Sequence, residues 1–180
     1  MLETYRIIDR VNKISGKPWA DGPWANEPDQ IQWRDERSGL RCLMRRTGMG
    51  SWCGYVGVPP QHILHNKYYM PEKGKRIDGK IVMTPVEYDE AIDSLNAHGG
   101  ITYCGTDLDI HDNVSDQPDE YYWWIGFDCA HSFDFMPGMP IIHAGATYRD
   151  VNFVREEVTS LAKQIYELNE EVRTNAISRE

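Results

Sequence analysis

Residues 121–131 read YYWWIGFDCAH, and the fold turns on how this run is taken. As an extended strand it places Trp123, Ile125, Phe127, Cys129 and His131 on one face and Tyr122, Trp124, Gly126 and Asp128 on the other. Both faces are apolar around the two tryptophans, so the strand is expected to be central and covered on both sides. Gly126 leaves a gap between Trp124 and Asp128. A missing side chain in a strand marks a bulge or the close approach of a ligand or another chain. An aromatic wall, a gap and a carboxylate make a small pocket. The alternative is that Trp124 folds over Gly126 and Asp128 caps the following turn.

Upstream, QIQWRDE (30–36), LRCLMRR (40–46) and SWCGYVGV (51–58) read as strands. Their short, glycine-bearing links predict antiparallel hairpins. TYRIID (4–9) is a further short strand, and SGKPWADGPWANEP (15–28) is a loop anchored by Trp19 and Trp24. Residues 59–80 read as irregular, with KGKR (73–76) as a solvated basic patch. Thr84-Pro85-Val86-Glu87 predicts a helix start, with Thr84 as cap and Glu87 completing a capping box. Tyr88, Ala91, Ile92 and Leu95 then share a helical face, and Asn96, Gly99 and Gly100 supply the stop. ITYC (101–104) reads as a strand and residues 107–120 as an acidic loop.

Val151, Val154, Val158, Leu161, Ile165, Leu168 and Val172 recur at spacings of three and four. They predict a long amphipathic helix, capped by Thr147 or Asp150, whose stripe packs on the sheet. The same spacing also suits a homodimer through this helix. The tail RTNAISRE (173–180) is expected to fray. The fold class that follows is α+β: a mixed, mostly antiparallel sheet of about five or six strands, packed by the long C-terminal helix and one shorter helix. The 180 residues form a single globular domain, with residues 1–28 as an N-terminal strand and loop.

A net charge of −9 argues against general nucleic-acid binding, which needs a basic footprint. No apolar run is long enough for a membrane span, and MLETYRIIDRVNK lacks a signal-peptide core. Cys42, Cys53, Cys104 and Cys129 are scattered, with no CxxC, and read as reduced thiols of a cytoplasmic protein.

Cys129 and His131 are the minimum for an activated thiolate, and also half of a zinc site. Further ligands for a metal would come from His98, Cys104, His143 or Asp134. The commonest role of such a pair is a buried cysteine beside a hydrogen-bonded histidine. His98-Gly99-Gly100 allows a tight turn whose amides can hold an anion, or simply stops a helix. If its strand lies beside 121–128, then His98, Thr102 and Asp128 converge. Asp107, Asp109 and His111 alternate like the start of a calcium loop, but Asp112 and Pro118 stand where Gly and Glu are required, which rejects an EF-hand.

CGYVGVP (53–59), HGGITYCG (98–105), WWIGFDCAH (123–131) with Asp134, and YRD (148–150) together resemble a family of small proteins encoded by bacteriophages and prophages. Its members read like CGYVGVP, HGGLTYSG, WWFGFDCAHAGD and YRD before a long C-terminal helix. Cys104 stands where the family has Ser, and Ser132-Phe133 where it has small residues. The resemblance implies a phage-associated protein of the host cytoplasm, in which His98, Asp128, Cys129, His131, Tyr148 and Arg149 work as a group. It implies no particular reaction, cofactor or metal.

Three functions are then expected. The first is a phage accessory binding protein that counteracts host defence. It would sequester a nucleotide-like ligand at Trp124, Gly99, Gly100, Thr102, Tyr148 and Arg149, or hold a host protein. The second is a small hydrolase or transferase using His98, Asp128, Cys129 and His131. The third is an acidic interaction module that blocks a nucleic-acid-binding host factor.

Overall fold

The structure, a computed structural model, describes residues 4–6, 19, 21–106, 108, 122–139 and 143–178. Most of the acidic loop 107–120, with the Asp107/Asp109/His111 pattern, lies outside these residues, as do Tyr121 and positions 7–9 of the first strand. A six-stranded sheet forms the body. Its strands are β1 (Thr4–Arg6), β2 (Gln30–Arg34), β3 (Arg41–Arg46), β4 (Trp52–Val58), β7 (Tyr103–Gly105) and β8 (Trp123–Asp128). They lie in the order β1-β2-β3-β4-β8-β7, and every pair is antiparallel. The opening run is therefore an inner strand, held between β4 and β7.

The two faces of β8 are filled as its alternation predicts. Trp123, Ile125 and Phe127 join the larger core with Met44, Trp52 and Val56. Trp124 and Tyr122 join a smaller cluster with Leu43, Cys53 and Tyr55 on the opposite face. Helix α2 (Val151–Ile177) lies across the first face. Val154, Val158, Leu161, Ala162 and Ile165 are fully buried there, and each of the larger side chains contributes about 2 kcal/mol. Asp150 caps α2 by accepting a hydrogen bond from the Phe153 amide at 2.8 Å. The helix continues through residues 173–177, where a frayed tail was expected. The stripe is spent on the sheet, and only Val172 at its far end is well exposed.

Residues 72–85 depart from the expectation of an irregular stretch followed by a helix start. They form a separate hairpin, β5 (Glu72–Ile77) with β6 (Lys80–Pro85). Asp78 and Gly79 turn it with φ of 46° and 77°, the left-handed pair that closes a two-residue hairpin. Thr84 hydrogen-bonds the Lys73 carbonyl across the ladder and caps no helix. The short helix, α1 (Glu90–Asp93), starts later, at an Asp89 cap. Among the described residues no helix is long and apolar enough to cross a membrane.

Candidate functional site

Strand β8 ends at Asp128, and the chain turns back through Cys129–Asp134 beside the start of α2. Asp134 is the hub of what gathers there. Its side chain is 1% exposed. One oxygen, Oδ2, lies 2.8 Å from His98 Nε2, accepts the His131 amide at 3.0 Å and stands 3.6 Å from His131 Nδ1. The other, Oδ1, accepts from Arg149 Nε at 2.8 Å. Burial alone would raise the Asp134 pKa, but hydrogen bonds from Arg149, His98 and the His131 amide outweigh it and hold the group below its ordinary value as a carboxylate.

Local backbone delivers each partner. His98 sits in the turn before β7, where Ala97 accepts from the Gly100 amide. Its own amide donates to Glu157 of α2 at 2.8 Å, and its ring meets Phe153 edge-on at 5.3 Å. The His131 ring packs directly on this turn. A Cβ at Gly99 would stand 2.0 Å from His131 Cε1, and Gly99 also has φ +71°, so no other residue fits comfortably. Arg149 reaches in from just ahead of α2, its guanidinium over the Phe153 ring at 4.9 Å. Asp134 is itself bridged to Thr147 across the intervening chain.

Asp128 stands on the other side of His131. It accepts from the Thr102 hydroxyl at 2.8 Å and the Ala130 amide at 2.9 Å, and lies 4.0 Å from His131 Nδ1. So Thr102 meets Asp128 as expected, while His98 joins through Asp134. His131 and Asp134 form one wall of a cleft of about 390 Å³, whose other lining includes Phe135, Met136, Met139 and His143.

Three expected members stand elsewhere. Cys129 is 2% exposed and packs in the helix-side core. Burial, with Asp134 nearby, pushes its thiol pKa well up, and it makes no hydrogen bond to either histidine. A thiolate nucleophile is not available there. Trp124 is fully buried, its ring against Gly57 and an Arg41 guanidinium 5.9 Å from its centroid, so neither face is open for stacking. The gap at Gly126 is filled too. A Cβ there would stand 2.3 Å from Tyr55 Cδ1, and the Tyr55 and Tyr103 rings meet edge-to-face at 5.4 Å across it. Tyr148 turns away and donates its hydroxyl to Glu27 at 2.6 Å. Gly100, with φ +87°, serves the turn.

Sequence reasoning placed Asp134 among possible zinc ligands and beside the WWIGFDCAH run, but not as the hub, and missed Glu157 and Phe153. The signal for Asp134 was its three-residue spacing from His131 within a turn. Phe153 and Glu157 lie in the first two turns of α2, and no local pattern marks what a helix terminus will meet. No family model matches the chain, and no curated protein or solved structure was found that is similar to it.

Proposed function

We propose that the protein is a small hydrolase or group-transfer enzyme working at the cleft beside His98, His131 and Asp134. The observation that carries this reading is that His131 and Asp134 line the cleft with His98 held on Asp134 behind them, the ligating atoms of the three lying within 4.8 Å of one another. Such a cluster can take a proton and stabilise the charge that develops as a bond breaks. In the reaction, a water or hydroxyl in the cleft attacks an acyl or phosphoryl centre. Its proton passes to His131 at the cleft wall, with Asp128 4.0 Å behind the ring. A new bond to carbon or phosphorus forms, the bond to the leaving group breaks, and the proton returns to the leaving group. Phe135, Met136 and Met139 favour a small substrate with an apolar body.

A panel of esters, amides and phosphoesters tests this. Turnover is expected for at least one, falling about 100-fold or more in His131→Ala and His98→Ala and persisting in Cys129→Ser. No turnover across the panel, or undiminished turnover in both histidine variants, would sink the reading.

A further inference from the structure

We infer that His98, His131 and Asp134 are the ligands of a divalent transition-metal ion of the zinc class. This deepens the reading above and rests on it for its catalytic sense, although the binding of the ion is a separate property.

The donor set fits. Two imidazole nitrogens and one carboxylate oxygen are a ligand set that catalytic zinc centres use, with the remaining position left for water or substrate. Spacing fits as well. Bonds of about 2.1 Å in a tetrahedron put ligand atoms about 3.4 Å apart. Asp134 Oδ2 lies 2.8 Å from His98 Nε2 and 3.6 Å from His131 Nδ1, on either side of that value.

An independent sign is an unsatisfied atom. His131 Nδ1 is buried and has no hydrogen-bond partner among the described residues. A buried polar nitrogen left in that state is costly, and coordination would relieve it. The outer groups are those a metal centre needs. Arg149 pins Asp134 Oδ1 and so aims Oδ2 inward, while Phe153 and the Gly99 turn fix the two rings. Asp128, Asp134 and Glu157 bring three carboxylates to the two imidazoles, with Arg149 on Asp134, a setting that suits a cation. Cys129 faces the core, so the centre has no sulfur ligand.

On binding, the ion would take the place of the hydrogen bond between His98 Nε2 and Asp134 Oδ2, with the neutral His98 ring carrying its proton on Nδ1 instead. Its coordinated water is thereby acidified. His131 would then serve as a ligand, and Asp128, 4.0 Å from its Nδ1, would be the carboxylate beside the centre that takes up a proton.

The experiment is calorimetric titration of chelator-treated, dialysed protein with zinc chloride, together with the visible spectrum of the protein loaded with cobalt(II). One zinc per chain is expected, with a ligand-field band for cobalt. Asp134→Asn and His131→Gln should each weaken zinc more than about tenfold, Arg149→Gln about tenfold, and His65→Gln not at all. Thermal melts check folding. His131 is one-third exposed, so its variant keeps the fold even where Asp134→Asn does not. Absence of stoichiometric zinc binding, or wild-type affinity in both ligand variants, overturns the inference. Zinc bound without turnover on any substrate upholds the ion and removes the reaction. Turnover by chelated protein that binds no zinc does the reverse.

Discussion

Cys129 and His131 are two positions apart in the chain and belong to different environments. The strand alternation that puts Cys129 under α2 ends at Asp128, and the turn that follows sends His131 outward. All four cysteines are free and buried. Burial raises each thiol pKa, that of Cys53 to about 11 and that of Cys104 to about 12. Native protein is therefore expected to resist a thiol-specific reagent at pH 7, with all four groups titrating only in denaturant. A fast-reacting thiol in native protein would contradict this placement. At Gly99 the expected outcome of Gly99→Ala is displacement of the His131 ring and loss of turnover, with little more than about 1–2 kcal/mol lost in stability. Denaturant unfolding alongside a rate measurement separates the two effects. His62 gives a pH signature remote from the cleft. Burial pushes its pKa down from 6.5 to about 4, so the unfolded chain binds the extra proton first. The stability that the neutral form contributes is fully present above pH 6.5 and lost as the pH falls through 4. His62→Gln should flatten the stability profile over that window. Much of the site was visible as residue types: His98, Asp128, His131 and Arg149 lie in the motif runs. What could not be read was which of them a turn would aim together, since that depends on chain reversal after β8.

Among the elements, those with strict periodicity were legible and those decided by a dipeptide were not. The inner strands β2, β3, β4 and β8 follow their alternation, and α2 follows its spacing of three and four. The hairpin was missed because Thr84-Pro85-Val86-Glu87 imitates a helix start, while the decisive Asp78-Gly79 signal sits inside a charged run. Every residue of β5 and β6 is exposed, so the pair has neither buried face nor third strand to hold it. Its amides are accordingly expected to exchange with solvent far faster than those of β4 and β8, as hydrogen-exchange mass spectrometry would read. Gly79→Val should speed that exchange further and leave the global melting temperature unchanged. For α2, Leu161→Ala should cost about 3 kcal/mol, as the denaturant midpoint would show. A near-zero change would mean that the stripe does not carry the helix.

At the scale of the molecule, one buried carboxylate ties the separate pieces together. Glu27 accepts from Arg46 of β3 at 2.6 Å, from Trp52 Nε1 of β4 at 3.1 Å, from Tyr148 at 2.6 Å and from the Val151 amide at the head of α2 at 3.0 Å. It thereby fixes the start of the helix whose first turns carry Phe153 and Glu157 to the site. Removing it takes a charge-assisted bond from buried Arg46, which keeps Asp29 at 3.6 Å, and leaves three other donors without this acceptor, so Glu27→Ala should lose about 3 kcal/mol. Loss of the His98–Glu157 contact would follow with it. A double-mutant cycle with Tyr148→Phe, read by denaturant unfolding, would show coupling between the two. The hairpin has a different consequence for the whole protein. Among the described residues its strands are each bonded on one side only, which leaves six-residue edges able to recruit the same edge of another molecule. Lys73, Lys75, Arg76 and Lys80 line those edges among exposed Ile77, Ile81, Val82 and Met83. Their mutual repulsion opposes edge-to-edge pairing of neighbouring copies, so high salt or acetylation of the three lysines is expected to promote aggregation, as light scattering would read.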